Sequence, residues 1–141
     1  MSEGFLLKDI DIRFEFARFL KFAVVGIVGV VVNTVALYLL TSFVFGERLY
    51  LAAAAISLEL SILNNFYLNE VWTFRDKAAA GGVSQRLIKF HGSRLLGAAT
   101  TLLVLYLLTD IFHIYYLLSN LVGVGVGTLV NYVTSRFWVW G

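Results

Sequence analysis

Residues 22–45 read FAVVGIVGVVVNTVALYLLTSFVF, a run of 24 residues without a charged side chain. A helix needs about 20 mostly apolar residues to cross the hydrocarbon core of a bilayer, so this run is long enough to span a membrane. Of the 141 residues, 60% are hydrophobic and only 14% are charged. A small soluble domain has too much surface to hide so many apolar side chains. The sequence therefore predicts an all-α membrane protein.

Three further apolar runs follow the first. Residues 50–69 carry one charge, Glu59, near their middle, and residues 115–135 carry none. Residues 95–109 are uncharged but number only 15, so this helix must extend back through Phe90 to cross the bilayer. We therefore predict four transmembrane helices. The first run is too long for a signal peptide, and we expect it to be retained.

The distribution of Lys and Arg predicts the orientation, because cytoplasmic segments of membrane proteins are enriched in these residues. Ten of the 11 lie before the first run, around the middle loop or after the fourth run: Lys8, Arg13, Arg18, Lys21, Arg75, Lys77, Arg86, Lys89, Arg94 and Arg136. Only Arg48 lies on the other side, where the predicted loops, residues 46–49 and 110–114, are short. We therefore expect a multi-pass protein of the plasma membrane with both termini in the cytoplasm.

Two segments lie outside the apolar runs. Residues 9–16 alternate between polar and apolar, which is typical of a strand. An open strand edge is costly in lipid, so we expect a surface-lying segment or a helix entry instead. Residues 78–84, AAAGGVS, predict a flexible cytoplasmic loop. The expected organisation is a cytoplasmic or interfacial segment, residues 1–17, followed by a four-helix transmembrane domain, residues 18–141.

The chain also shows an internal duplication. Residues of the first run recur 68 positions later in the third: Lys21, Phe22, Gly29 and 37–41 match Lys89, Phe90, Gly97 and 105–109. Residues of the second run recur 66 positions later in the fourth: Asn65, Phe66, Trp72 and Phe74 match Asn131, Tyr132, Trp138 and Trp140. Two spans return the chain to the same side of the membrane. We therefore predict two parallel two-helix repeats, residues 18–74 and 86–140, related by a pseudo-twofold axis along the membrane normal.

Small and polar residues occupy every fourth position of the second and fourth runs. They are Ala53, Ser57, Ser61, Asn65 and Asn69 in one, and Ser119, Gly123, Gly127, Asn131 and Ser135 in the other. Residues four apart lie along one helix face, and small residues there let membrane helices approach closely. The Asn residues have two interpretations: hydrogen bonding between helices, or binding of a polar headgroup.

Two charges within the apolar runs require an explanation. Glu59 would lie at mid-bilayer, where a carboxylate costs at least about 2.5–3.5 kcal/mol. It is either a proton-coupling or hydroxyl-binding group in the bundle interior or a tolerated, paired side chain. Arg94 carries a planar guanidinium suited to phosphate, or it extends to the membrane surface. The repeat does not require either charge, because their counterparts are Gly125 and Gly26.

Four aromatic residues follow the second and fourth runs: Trp72, Phe74, Trp138 and Trp140. Aromatic rings are enriched at membrane–water interfaces, so we expect these four to form an anchoring belt.

The residue types exclude several functions. The chain has no Cys and only two His, and it offers no nucleophile–base pair or set of metal ligands. We therefore expect no enzyme activity, no catalytic residue, no metal, no cofactor and no nucleic-acid partner.

The motifs resemble those of the GtrA-like family, small four-span membrane proteins of polyprenyl-phosphate sugar pathways. The resemblance covers about residues 15–140. It is carried by the opening RFLKF (18–22), by RLIKF (86–90) and by two span endings, NFYLNEVWTF (65–74) and NYVTSRFWVW (131–140). The chain departs from the family pattern at Glu70, where Arg is usual, and at Ser135, where a second Asn is usual.

The resemblance implies that the protein flips a polyprenyl-phosphate-linked monosaccharide across the membrane for glycosylation of surface polysaccharides. The alternative is a non-transporting anchor or accessory subunit for a membrane glycosyltransferase. A small multidrug-type exporter fits less well, since those pumps carry their acid in the first span. A homo-oligomer is left open. The candidate substrate-binding residues are Glu59, Asn65, Asn69, Lys89, Arg94, Asn131 and Arg136.

The charge bias generates a prediction about topology. A reporter fused to either terminus or inserted within residues 78–84 should report the cytoplasm, because the Lys and Arg residues cluster there. A reporter inserted at Gly46 should report the opposite side. Alkaline phosphatase and green fluorescent protein fusions measure this directly, and a reversed result at any one position would refute the four-span topology.

Overall fold

A computed structural model describes residues 2–78 and 81–141, with side chains from Ile12 onward in the first helix. The described residues form helices and turns without a strand, which confirms the all-α class. The chain divides into two compact units, Met1–Arg75 and Asp76–Gly141. Each unit is a hairpin of two packed helices. The four helices are α1 (Ser2–Leu40), α2 (Tyr50–Leu68), α3 (Val83–Tyr106) and α4 (Tyr116–Thr134).

Four helical stretches are long and apolar enough to cross a membrane, as the sequence predicts. They are Ile12–Phe45, Glu47–Thr73, Val83–Ile111 and Tyr116–Val139. The third stretch begins seven residues before Phe90, so the short third run is extended in the expected direction. Helix α3 begins at Val83 because the backbone of the preceding residue, Gly82, is extended, with φ −84° and ψ 139°. Gly82 is thus the last residue of the loop.

Helix α1 begins well before the first apolar run. Residues 9–16, whose alternation is typical of a strand, lie inside this helix. Of the two predicted alternatives for this segment, the structure therefore has the helix entry. The expected loop at residues 78–84 is shorter than predicted, because Val83 and Ser84 already belong to α3. Residues 79–80 lie outside the described part of the chain. Gly81 makes the turn with φ 90°, a conformation that favours glycine.

Each of the four helices ends in a single π-helical turn. These turns are Thr41–Phe45, Asn69–Thr73, Leu107–Ile111 and Ser135–Val139. The predicted outer loops are consequently more helical than expected. A 3₁₀ turn, Glu47–Leu49, fills the first, and the π turn of α3 takes up the start of the second. At Phe74 and Trp140 the backbone N–H donates to the carbonyl five residues earlier, at 2.8 and 2.9 Å.

The first hairpin is closed by a contact between a glycine and an asparagine. A Cβ atom on Gly29 of α1 would overlap the side-chain amide of Asn65 on α2. Ser61 Oγ donates to the Gly29 carbonyl at 2.7 Å. Ala53 and Ser57 continue the same α2 face and are fully buried. The stripe of small residues is therefore the surface on which the two helices meet.

The second hairpin has the same contact at the matching positions. A Cβ atom on Gly97 of α3 would overlap the amide of Asn131 on α4. Here the Gly97 carbonyl accepts a hydrogen bond from Thr101 Oγ1 at 3.0 Å, whereas a Ser on the partner helix supplies it in the first hairpin. Gly123 and Gly127 complete the buried α4 face. This recurrence agrees with an internal duplication, which remains a prediction.

One end of each hairpin is packed by two aromatic rings, and we call it the aromatic end. In the first hairpin Phe22 and Phe74 meet edge to face, with ring centroids 6.3 Å apart. In the second, Phe90 and Trp140 meet at 5.7 Å. Both Phe74 and Trp140 are almost fully buried, so the expectation that they belong to an exposed anchoring belt is wrong. The π turn directs them towards the first helix of their hairpin.

The close contact at Gly29 and Gly97 generates a prediction about stability. Gly29→Ala and Gly97→Ala should each destabilise the protein by roughly 1–3 kcal/mol, because the added methyl group displaces the Asn amide. Unfolding of the purified protein in detergent, followed by circular dichroism, measures the change.

Gly26→Ala, in the same helix as Gly29, and Gly125→Ala, in α4 of the second hairpin, are the controls. A Cβ atom at either position meets nothing within 4 Å, so both should be neutral or slightly stabilising. Equal effects of all four substitutions would contradict the role of the glycine–asparagine contact.

Candidate functional site

The aromatic end of each hairpin holds a buried arginine that the sequence reasoning did not select. Arg18 is 3% exposed, and its guanidinium lies 4.7 Å from the Phe14 ring centroid and 5.6 Å from that of Phe74. Arg86 is 4% exposed and donates to the Gly81 carbonyl at 2.9 Å. The two arginines are 68 positions apart, the offset of the predicted repeat, and this regularity could have identified them.

Arg18 also has an acidic neighbour. Its Nη1 lies 3.8 Å from Glu15 Oε1, one turn earlier in α1. The rings of Phe14 and Phe74 both lie against this guanidinium, and Phe74 directly follows the π turn that ends the second spanning stretch. The guanidinium is therefore held where α1 packs against that end. Positive charge is favourable beside the carboxyl end of a helix, so Arg18 stabilises the end at which the hairpin is packed.

Two of the predicted headgroup ligands lie in helix contacts. The Asn65 amide is 6% exposed and packs on Gly29, and the Asn131 amide packs on Gly97. These positions agree with packing between helices, but Asn131 Oδ1 has no hydrogen-bond partner among the described residues, and headgroup binding by Asn65 and Asn131 stays a prediction. The Asn131 main-chain carbonyl also accepts a hydrogen bond from Ser93 Oγ, at 3.3 Å.

Asn69 differs from Asn65 and Asn131 in lacking, among the described residues, a hydrogen-bond partner for both of its side-chain amide atoms, whereas Asn131 lacks one for Oδ1 alone. It opens the π turn at the end of α2, and its side chain is fully buried. Within the described part of the chain, neither its Oδ1 nor its Nδ2 has a hydrogen-bond partner. Thr73, four residues later, is 3% exposed and its Oγ1 also lacks a partner among those residues. Sequence reasoning selected Asn69 but missed Thr73.

The second hairpin contains a cluster of hydroxyl groups at the corresponding level. Ser93 Oγ lies 2.5 Å from Thr134 Oγ1 and 3.4 Å from Ser135 Oγ. Thr134 in turn donates to the Val130 carbonyl at 2.7 Å. Ser93 and Ser135 are both fully buried, so the hydroxyls satisfy one another inside the hairpin.

Arg94 follows this cluster in α3 and is half-buried within the spanning stretch. Its guanidinium lies 4.7 Å from the ring centroid of Phe90, one turn back towards the aromatic end. Lys89 and Arg136 are also half-buried, and the Arg136 guanidinium stacks on the Phe137 ring at 5.0 Å. The second hairpin therefore carries three cations near its aromatic end.

A shallow, largely open apolar groove lies on the surface of α4 and includes one residue of the hydroxyl cluster, Thr134. It is lined by Val126, Leu129, Val130, Val133 and Thr134. Thr134 is the groove residue whose hydroxyl contacts Ser93.

Glu59 does not face the helix contact of its own hairpin. The buried positions of α2 around it are Ser57 and Ser61, and a residue two positions away on a helix points about 200° from them. The Glu59 side chain is accordingly exposed, on the α2 face that points away from α1. Its position in the middle of the spanning stretch agrees with the sequence analysis.

No grouping of three or more His, Cys, Asp or Glu side chains that could hold a metal ion occurs among the residues with described side chains.

Comparison with known proteins places this arrangement in a family. The chain is 38% identical over 126 residues to dolichol-phosphate mannosyltransferase of Pyrococcus furiosus; the match covers 89% of the chain but 34% of that relative. It is 28% identical over 121 residues to the uncharacterized membrane protein YngA of Bacillus subtilis, covering 86% of the chain and 78% of YngA. The chain thus spans about a third of the length of the first relative.

The profile of the family described as GtrA/DPMS, transmembrane domain, matches residues 21–140. The match covers the second, third and fourth spanning stretches and the first from Lys21 onward, including the two hairpin contacts and both pairs of aromatic rings. This chain is therefore a multi-pass membrane protein that belongs to the GtrA/DPMS transmembrane-domain family.

Proposed function

We propose that the protein binds a polyprenyl-phosphate-linked monosaccharide and moves it across the membrane for glycosylation of surface polysaccharides. The GtrA/DPMS family takes part in polyprenyl-phosphate sugar pathways. The observation that carries the proposal is Arg94, a cation held inside a membrane-spanning helix. Charged side chains are costly within a bilayer, and those that occur there commonly mark a substrate pathway.

The guanidinium of Arg94 matches the chemistry of a lipid phosphate. Its planar fork can donate two parallel hydrogen bonds to phosphate oxygens. Its stacking on Phe90 directs the group towards the aromatic end, where Lys89 and Arg136 add positive charge. We expect Arg94 to make the direct phosphate contact, and the positive charge of Lys89 and Arg136 to favour an anionic headgroup at this end of the hairpin.

The groove on α4 supplies a surface for the isoprenoid chain. Its walls are aliphatic apart from Thr134, and an isoprenoid chain in the bilayer can lie along them. The groove includes Thr134 of the hydroxyl cluster, which lies in the same hairpin as Arg94. A single hairpin thus offers contacts for both the apolar and the anionic part of the lipid.

A specific observation also favours a second function, that of a membrane anchor for a glycosyltransferase. The relative from Pyrococcus furiosus is named a mannosyltransferase, and this chain matches only 34% of its length. We propose on this ground that the domain can hold a catalytic partner at the membrane. In both functions the chain itself performs no catalysis, and the glycosyltransferase is its partner.

Transport and anchoring are separated by one reconstitution experiment. The purified protein is placed in liposomes with a fluorescent polyprenyl-phosphate glucose or mannose, and its exposure to an outside reagent is followed. Transport predicts protein-dependent movement of the lipid between leaflets. An anchor predicts no movement but co-purification of the glycosyltransferase with the tagged chain from cells.

The proposed phosphate contact predicts the effect of substitutions at Arg94. Arg94→Ala should reduce the rate of lipid movement at least about tenfold, because a charge-assisted hydrogen bond contributes roughly 1.5–3 kcal/mol. Arg94→Lys should restore part of the rate, since it keeps the charge but not the fork. Arg75→Ala, at an exposed position, serves as the control. Full transport by Arg94→Ala at normal expression would remove Arg94 from the site.

Glu59 is tested by a substitution that keeps its size and removes its charge. If the carboxylate couples proton movement to transport, Glu59→Gln should fold normally and lose most transport. If Glu59 is only tolerated in the span, the variant should remain active and gain stability, because burial of a charge in lipid is relieved. Transport rate and unfolding midpoint, measured on the same preparation, distinguish these outcomes.

A further inference from the structure

The first hairpin contains a pair of buried polar side chains that its packing leaves unsatisfied. Asn69 is 0% and Thr73 3% exposed, and they lie about one turn apart along the same π turn. Among the described residues none provides a hydrogen bond to Asn69 Oδ1, Asn69 Nδ2 or Thr73 Oγ1. A buried donor or acceptor without a partner costs about 1–3 kcal/mol. The pair therefore opposes the stability of the hairpin.

The second hairpin shows that the fold does not require this pair. The counterparts 66 positions later are Ser135 and Val139. Ser135 lies within hydrogen-bond distance of Ser93, and Val139 is apolar and buried. A hairpin with the same π turn and aromatic end can thus be built with a satisfied and an apolar residue at these positions.

The unsatisfied atoms define the chemistry of a ligand. Asn69 offers two donors at its nitrogen and an acceptor at its oxygen, and Thr73 offers one donor and an acceptor. A phosphate group has acceptors only, and its negative charge would lie against the amide oxygen. Sugar hydroxyls both donate and accept, so they can satisfy every one of these atoms.

We infer that Asn69 and Thr73 form a subsite in the first hairpin that recognises the hydroxyl groups of the sugar headgroup. This inference rests on the proposed function, since it assigns a binding role towards the same class of lipid. Both groups are enclosed in this structure, so binding requires movement of a side chain that covers them. The subsite contributes the selectivity between lipids with and without a sugar.

The test measures binding of two lipids to the purified, full-length protein in detergent micelles. One probe is a short-chain polyprenyl-phosphate mannose, with the glucose form as a second sugar, and the other is the same polyprenyl phosphate without a sugar. Free mannose is included, because it shows whether hydroxyl recognition depends on the lipid. Titrations followed by tryptophan fluorescence or native mass spectrometry give the dissociation constants.

The wild-type protein should bind at least one sugar-bearing lipid about tenfold more tightly than polyprenyl phosphate, the equivalent of one or two hydrogen bonds. Asn69→Leu and Thr73→Val should each lose most of this preference and keep the affinity for polyprenyl phosphate. Both variants should also unfold at a higher temperature, since an unsatisfied polar group has been removed. Thr73→Val introduces the residue type present at position 139, so it keeps the inference testable if Asn69→Leu fails to fold.

Ser57→Ala is the control in the same hairpin. It removes a buried hydroxyl that already has a partner, the Ala53 carbonyl at 2.7 Å, so it should leave the sugar preference intact and not raise the unfolding temperature.

The possible results separate failure of this inference from failure of the proposed function. Unchanged preference in Asn69→Leu and Thr73→Val, or equal wild-type affinity for the lipids with and without sugar, would overturn the subsite while leaving the lipid assignment in place. Absence of wild-type binding to all of the lipids would overturn both. Tight binding of free mannose that Asn69→Leu and Thr73→Val leave unchanged would also overturn the subsite, because the sugar would then be recognised elsewhere.

Discussion

The contact between a glycine and an asparagine holds each hairpin together. Lipid tails are as apolar as leucine side chains, so membrane helices gain little from hydrophobic burial against one another and depend on close packing and hydrogen bonds. Gly29 and Gly97 provide the space, and the amides of Asn65 and Asn131 fill it. In each hairpin a hydroxyl group also donates to the glycine carbonyl, from Ser61 to Gly29 and from Thr101 to Gly97. The remaining polar groups are arranged around this crossing.

The buried polar side chains near the aromatic ends of the two hairpins differ in their hydrogen bonding. In the second hairpin the hydroxyl groups of Ser93, Thr134 and Ser135 satisfy one another, although Asn131 Oδ1 has no partner among the described residues. In the first hairpin Asn69 and Thr73 are buried without such partners among the described residues. A protein in lipid gains nothing in stability from an unsatisfied amide, so we attribute its presence to ligand recognition. The asymmetry between two otherwise similar hairpins is what makes this pair informative.

The π turns explain how buried and exposed aromatic residues can follow one another so closely. In the first hairpin Phe74 is buried against Phe22, whereas Trp72 is 45% exposed. The second hairpin shows the same division between Trp140 and Trp138. The i to i+5 hydrogen bond at the end of each turn widens the helix by one residue and changes the direction of the next side chains. Such turns occur frequently at functional sites, and the two at the aromatic ends begin at the buried polar residues Asn69 and Ser135.

The sequence by itself determined that the chain lies in a lipid bilayer, that it has four spanning helices, and which helix faces pack within each hairpin. Apolar runs of about 20 residues are long enough to cross a bilayer, so they indicate membrane spans. Residues four apart lie along one helix face, so a stripe of small residues at this spacing indicates the face that packs. Only the tertiary structure decided which polar residues the packing uses. Asn65 and Asn69 look equivalent in sequence, yet the first fills the space at Gly29 and the second has both amide atoms unsatisfied. That difference depends on which residue of α1 lies opposite each Asn. The sequence around the two Asn residues does not reveal it.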